Sequence, residues 1–133
     1  MLHLLGINMA APDVCLTPIP SPVGPVPTPM PCSNIAVTAT AIPSVVNVLA
    51  LAMANHNMMT ITPMSNGDNA GLMMNPLSGM VMGPQKQLLG RVKIFMGGSP
   101  ANEMLGLSSQ NGMMPGAFGE TLSPSQVKVM FLS

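Results

Sequence analysis

Residues 12–31 read PDVCLTPIPSPVGPVPTPMP, and eight of these twenty residues are proline, mostly at alternate positions. Proline has no N–H and a fixed φ, which excludes a helix and a central strand here. In an extended chain, residues two apart point their N–H groups to the same edge, so this spacing removes donors from one edge and leaves the other able to pair. Because the intervening residues are mostly apolar, we interpret the run as the blocked edge of a sheet rather than a solvated polyproline linker.

The composition predicts one domain that works bound to something else. The chain has 133 residues, 47% of them hydrophobic, with sixteen Met, three Phe and neither Trp nor Tyr. Met is expected to replace aromatic bulk as adaptable packing in the core and at interfaces. Four basic and four acidic residues give zero net charge. Such a surface associates readily, whereas the missing basic stripe and aromatic surface exclude nucleic acid as a partner.

The stretch 35–54, IAVTATAIPSVVNVLALAMA, carries no charge and is long enough to span a bilayer. Pro43, Asn47 and the absence of flanking Lys or Arg argue against a span. A small membrane-inserted protein that uses residues 35–54 is therefore the alternative reading. The N-terminus lacks the basic region of a secretory signal, so we expect no signal peptide.

Two cysteines, Cys15 and Cys32, are seventeen positions apart. A disulfide between them would be worth about 3 kcal/mol in the chain-entropy model. Without a signal peptide we expect the reduced state.

Three segments share one pattern, a small residue followed by alternating β-branched residues, which predicts half-buried strands. They are 44–48, 90–94 and 125–129. The first two extend into repeat units, 44–71 and 90–116, with a period of about 46 residues. We therefore predict an all-β chain of three pseudo-repeated strand units, with a C-terminal strand at 121–133. Asn66-Gly67 and Asn111-Gly112 predict tight hairpin turns, and 49–59 is the one candidate for a short helix.

Six short sequence words in order resemble the PAAR-like domain proteins of bacterial contractile injection systems. They are PDVCLTP at 12–18, the proline run, SNGDNAG at 65–71, GMVMGP at 79–84, VKIFMGGSPA at 92–101 and LSPSQVKVMFLS at 122–133. The opening GINMAAPDVC at 6–15 is also similar, so the likeness covers nearly the whole chain.

This resemblance implies a small cone-like β fold with the proline-rich segment, 12–34, wrapped around it. One copy would cap the homotrimeric VgrG-type spike of a type VI secretion system or a related particle. It would sharpen the spike for puncture, meet the target membrane transiently and carry effector cargo. The protein would assemble in the bacterial cytoplasm and leave through the injection apparatus.

The resemblance also implies candidate site residues. PAAR domains of the better-known kind hold a zinc with three His and one Cys, whereas this chain has two of each. Cys15 and His56 fall in family words, so we expect them to hold one structural zinc or iron at the tip. A single chain on a three-fold partner needs three similar faces, and the strand repeats are expected to supply them. The predicted partner-binding residues are Val46, Val48, Val92, Ile94, Val127 and Val129.

Catalysis is not expected, because no nucleophile, metalloprotease or phosphate-loop motif occurs. The four carboxylates are spread along the chain, and Asp68 is expected to cap a turn with its side chain. The methionine pairs also permit a copper carrier as a third reading, which a copper titration would test.

Overall fold

The computed structural model describes residues 6–42, 45–114, 116–124 and 126–129, and these residues are almost entirely strand and turn. The strands are β1 Ile7–Ile19, β2 Val26–Val37, β3 Val45–Ala50, β4 Met53–Asn55, β5 Ile61–Thr62, β6 Gln85–Gln87, β7 Arg91–Met96, β8 Ser99–Ala101, β9 Leu107–Gln110 and β10 Ala117–Ser123. A single 3-10 turn, Thr38–Thr40, is the helical element of the described residues. The prediction of an all-β chain is confirmed.

Six strands form one antiparallel sheet in the order β2-β1-β10-β9-β6-β5. β1 joins the N-terminal hairpin to the C-terminal strand, since Met9 pairs with Glu120 and Ala10 with Gly119. The remaining strands form two separate hairpins, β3–β4 and β7–β8.

The proline-rich segment folds back on itself as the hairpin β1–β2, with residues 20–25 as its turn. Pro18 faces Pro27, Leu16 faces Pro29 and Val14 faces Pro31. Leu16 exchanges backbone hydrogen bonds with Met73 and Met74 on the side away from β2. Every second residue counted from Leu16 on β1, and from its partner Pro29 on β2, therefore points its backbone groups away from the other leg of the hairpin. The alternate prolines thus remove outward donors from both legs of the hairpin.

The outer leg, β2, is the edge strand of the six-stranded sheet. Its end is covered where Ile35 and Asn66 exchange backbone hydrogen bonds of 2.6 and 2.8 Å. The predicted blocked edge is confirmed, although 12–34 forms a hairpin rather than a strand wrapped around the fold.

The two repeat units form matching hairpins. Val45 pairs with Asn55 in the first and Arg91 with Ala101 in the second, and both have an irregularity before the turn. Ala50–Met53 and Met96–Ser99 close two-residue turns. The paired residues lie about 46 positions apart, which is the repeat period read from the sequence.

Both turns have positive φ at their two central residues, which is the backbone of a type I′ hairpin turn. Gly97 and Gly98 adopt φ values of 61° and 82°, and Leu51 and Ala52 adopt 52° and 62°. The predicted helix at 49–59 is therefore wrong, because the chain reverses at Leu51 and returns as β4.

The Asn-Gly pairs do not form the tight hairpin turns predicted for them. Asn66 is an isolated bridge partner of Ile35. Asn111-Gly112 opens the longer connection between β9 and β10. Gly67 follows Asn66 at φ 140°, and a Cβ there would overlap the carbonyl of Ser33. Glycine is thus needed at 67 for close approach to β2 rather than for a hairpin turn.

The uncharged stretch 35–54 is divided between the end of β2, the 3-10 turn and the β3–β4 hairpin. Among the helices of the described residues, none has the length and apolar character needed to cross a membrane.

Polar side chains fill much of the interior, which the composition did not suggest. Twenty-one polar or charged residues are buried in the described part of the chain, against nine apolar ones. Six of those nine are alanine, and the others are Cys15, Val45 and Met96. Met96 is thus the one buried methionine among the described residues, while most of the others are exposed. The expectation that methionine packs the core is wrong.

Candidate functional site

The first repeat hairpin displays predicted partner-binding residues on its surface. Val46 is 66% exposed, and Val48 is also exposed. Leu49 and Leu51, which the sequence analysis did not single out, add exposed apolar side chains at the same hairpin. Apolar side chains so placed are suited to packing on a partner.

The second hairpin presents a similar set. Val92 is 74% exposed, and Phe95 is exposed beside the turn. Ile94 is less exposed than Val92 and Phe95, because it packs against the cluster of Val45, Met96 and Ala101. Ile94 therefore contributes more to joining the two hairpins than the other predicted contact residues do.

The two hairpins are held against each other by that apolar cluster and by hydrogen bonds to backbone carbonyls. Asn57, just after β4, donates from Nδ2 to the carbonyl of Met96 at 2.9 Å. The N–H of Met58 donates to the carbonyl of Pro100 at 3.1 Å. Both hairpins consequently lie at one place in the fold, and we call their exposed apolar side chains the hairpin face. Its members are Val46, Val48, Leu49, Leu51, Val92 and Phe95.

The third predicted strand unit is not a strand in the residues that the structure describes. Gln126 accepts from the N–H of Val129 and donates to its carbonyl, both at 2.7 Å. Because a side chain satisfies both backbone groups, 126–129 forms a turn instead of joining a ladder. Val127 and Val129 are nevertheless exposed. The predicted strand at 121–133 ends at Ser123 as β10, and residues 130–133 lie outside the described part.

The two hairpins carry two charged residues, both basic and both on β7. Arg91, at the start of β7, forms an ion pair with Glu103. Lys93 is exposed on the same strand. The hairpin face is therefore mainly apolar, with two basic residues on the same strand as Val92.

A second apolar surface lies on the outer side of the six-stranded sheet. Alternation along β10 buries Ala117, Gly119 and Thr121 and exposes Phe118 and Leu122. These exposed residues line a shallow depression of about 330 Å³ together with Met9, Leu107 and Glu120. The carboxylate of Glu120 is the charged group among its lining residues.

The inner side of the same sheet is organised around a buried carboxylate. Asp13 is fully buried, and three asparagine amides donate to it. Asn75 donates to Oδ1 at 2.6 Å, and Asn34 and Asn111 donate to Oδ2 at 2.7 and 3.1 Å. Hydrogen bonds to an ionised acceptor are the stronger kind, so this centre ties four distant parts of the chain together.

A second buried carboxylate, Asp68, adjoins the first. Both of its oxygens accept from the N–H of Met82 at 3.1 Å. Burial raises the pKa of Asp68 above its ordinary value, and the charge of Asp13 adds to that rise. Hydrogen bonds from the backbone N–H groups of Met82 and of Asp68 itself, and from the side chain of Asn111, act in the opposite direction. The carboxylate thus bonds within its own turn, as predicted, and also joins that turn to the loop before β6.

The predicted metal ligands lie in different settings. Cys15 is joined to Cys32 by a disulfide, with their Cα atoms 6.5 Å apart. The expectation of reduced cysteines is therefore wrong, and thiolate ligation by Cys15 requires that the disulfide be opened. His56 is buried just after β4. Within the described residues, no three His, Cys, Asp or Glu side chains are grouped closely enough to hold a metal ion. Metal binding at Cys15 and His56 stays a prediction.

The model of the Toxin PAAR-like domain family matches residues 6–116. No curated protein and no solved structure matches the chain. The matched residues include both repeat hairpins, the proline-rich hairpin and the buried carboxylates.

Proposed function

The chain belongs to the Toxin PAAR-like domain family, and we propose that it caps the trimeric VgrG-type spike of a bacterial contractile injection system. Members of this family are associated with spikes of this kind and have a structural rather than a typically enzymatic role. Capping by one copy per trimer, membrane puncture and delivery of effector cargo are the finer parts of the proposal. Assembly in the cytoplasm and exit through the apparatus belong to it as well.

The observation that best supports docking is the hairpin face. Two hairpins of the same register and turn length each present large apolar side chains to solvent. A partner with rotational symmetry offers the same groove more than once, and repeated hairpins fit repeated grooves. Val127 and Val129 supply the third apolar element, in a turn rather than a strand.

The small number of charged residues at the hairpins fits the same role. Val46 and Val92 are apolar, and Arg91 forms its ion pair with Glu103 within the chain. Packing on the spike would therefore rest on apolar burial, with little dependence on salt.

Co-purification with the spike trimer tests the proposal. The chain and a tagged spike protein from the same genome are co-expressed, and native mass spectrometry counts the copies per trimer. We expect one. Val46→Asp and Val92→Asp place charges in the hairpin face and should abolish capture, because an unpaired charge is costly to bury.

Val23→Asp is the matched control, since Val23 is 97% exposed and lies outside the hairpin face. It should bind the spike as the unchanged protein does. Capture that survives both hairpin-face substitutions would contradict docking through this surface, and absence of any capture would contradict the proposed function.

Metal binding is tested separately. If Cys15 and His56 hold zinc or iron, the reduced protein should contain close to one equivalent by elemental analysis, and His56→Ala should remove it. Less than about a tenth of an equivalent in the reduced protein would contradict the site.

A further inference from the structure

The end of the β1–β2 hairpin is an exposed apolar projection. We call residues 18–31 the proline arm. Ile19, Val26 and Met30 are each between 44% and 48% exposed, and Val23, in the turn, is 97% exposed. No charged residue occurs between Asp13 and Asp68 in the sequence. The arm therefore presents hydrocarbon without charge.

The backbone of the arm is unusually poor in free donors. Seven of its fourteen residues are proline and have no N–H. Four others, at 19, 26, 28 and 30, occupy the hydrogen-bonded pairs of the hairpin. Gly24 donates to the carbonyl of Ser21 at 3.0 Å. Ser21 and Val23 are the two remaining residues of the arm that have an N–H.

The arm is firmly attached at its base. The disulfide between Cys15 and Cys32 links the two legs. Backbone hydrogen bonds of 3.2 and 3.1 Å join Leu16 to Met74 and Met73. Just below them, the carboxylate of Asp13 is held by its three asparagines. A fixed base allows the arm to project as one piece.

We propose that the proline arm enters the boundary between the headgroups and acyl chains of a lipid bilayer. Apolar side chains enter lipid favourably, whereas unsatisfied backbone N–H groups do so at a cost. The arm exposes apolar side chains and has few unpaired N–H groups. The backbone carbonyls that point away from the hairpin still need hydrogen-bond donors, which water supplies near the headgroups. The arm should therefore enter no deeper than the boundary between headgroups and acyl chains. The proposal rests on the proposed function in so far as puncture brings the tip to a membrane.

The alternative occupant, a protein strand added to the edge, is disfavoured by the same residues. Strand addition needs alternating N–H donors along the edge. Pro27, Pro29 and Pro31 remove them from β2, and Pro18 removes one from β1.

The absence of tryptophan provides a direct test. Val23→Trp places a single Trp in the chain at the end of the arm. With phosphatidylcholine vesicles, its emission should shift to the blue. Lipids brominated near the glycerol end of the acyl chain should quench it more than lipids brominated near the methyl end. Val92→Trp, on the hairpin face, is the control and should show neither change.

A second substitution tests the chemistry of the arm. Val26→Asp in the Val23→Trp background should reduce partitioning into vesicles by roughly tenfold, because a carboxylate resists entry into lipid. Far-ultraviolet circular dichroism and thermal melting establish that the variants are folded.

The proposal is overturned if Trp at 23 is quenched no more than Trp at 92, or if Val26→Asp leaves partitioning unchanged. Spike capture by the unchanged protein is measured in parallel. Capture by the unchanged protein without lipid quenching of Val23→Trp refutes the arm proposal alone, whereas normal quenching without any capture by the unchanged protein refutes the proposed function alone.

Discussion

Asn75 donates a 2.6 Å hydrogen bond from Nδ2 to Oδ1 of Asp13, although the two residues are 62 positions apart. The same carboxylate accepts from Asn111, which is 98 positions away. One side chain near the N-terminus thus fixes the loop before β6 and the connection after β9. These parts of the chain are joined at this point by hydrogen bonds between buried polar side chains.

Asp13→Ala should therefore destabilise the protein severely. Three buried amides lose an ionised acceptor at once, and we expect the free energy of unfolding to fall by at least about 3 kcal/mol. Denaturant unfolding followed by circular dichroism measures the change. Glu120→Ala removes an exposed carboxylate from the same sheet and is the control. An Asp13→Ala variant within about 0.5 kcal/mol of the unchanged protein would contradict the role of this centre.

Asp68 should make stability depend on pH. Because burial raises its pKa, the folded protein holds this proton more tightly than the unfolded chain does. The free energy of unfolding should consequently fall as pH rises from about the ordinary value of 3.8 through the raised pKa. Asp68→Asn removes this contribution, so its stability should vary less with pH over that range. Denaturation midpoints at closely spaced pH values measure the difference, and identical pH profiles for both proteins would refute the assignment.

Opening the disulfide should loosen the proline arm. The bond closes a sequence separation of 17 residues, so replacing both Cys15 and Cys32 with serine should lower the free energy of unfolding by about 3 kcal/mol. Adding reductant to the unchanged protein should produce a similar loss, while the double variant should not respond to it. Alkylation followed by intact-mass measurement reports the redox state. Equal stability with and without reductant would show that the bond contributes nothing.

The two hairpin turns should respond in opposite directions to exchange of glycine and alanine. Ala52 occupies a positive φ that glycine adopts freely, so Ala52→Gly should stabilise the protein by about 0.5–1 kcal/mol. Gly98→Ala introduces strain at φ 82° without any steric contact and should cost about 1 kcal/mol. Thermal melting of both variants tests the pair, and changes of the same sign would be inconsistent with matching turns.

The sequence predicted the elements that depend on local chemistry. Proline at alternate positions, such as Pro27 and Pro31, predicted an edge that lacks N–H donors. Each missing donor can be read from the sequence, because it is a property of a single residue. The repeat about 46 residues long predicted two matching strand units, since strand periodicity is local as well, and in the structure each unit begins with a hairpin. Hairpin turns were placed less well. Leu51-Ala52 carries no turn signature, whereas Asn66-Gly67 does and serves a different purpose.

The interior could not be predicted in the same way. Asp13, Asn34, Asn75 and Asn111 lie far apart in sequence, and each resembles an ordinary turn residue. Only the topology brings their side chains together. The prediction of a third strand was wrong for the described residues 126–129, because the side chain of Gln126 forms the hydrogen bonds that Val129 would make to a neighbouring strand. Exposure of Val46, Val48 and Val92 could be expected from apolar alternation on strands, whereas their contact with a partner stays a prediction.

The polar interior has a calorimetric consequence. Unfolding raises the heat capacity when hydrocarbon is newly hydrated and lowers it when amides are. A chain that buries asparagine, glutamine and alanine, and leaves much of its valine, leucine and methionine already in water, should show a heat-capacity increment below the usual ~12–15 cal/mol/K per residue. The free energy of unfolding should then vary little with temperature, so that warming and cooling destabilise the folded state less steeply than in proteins with apolar cores.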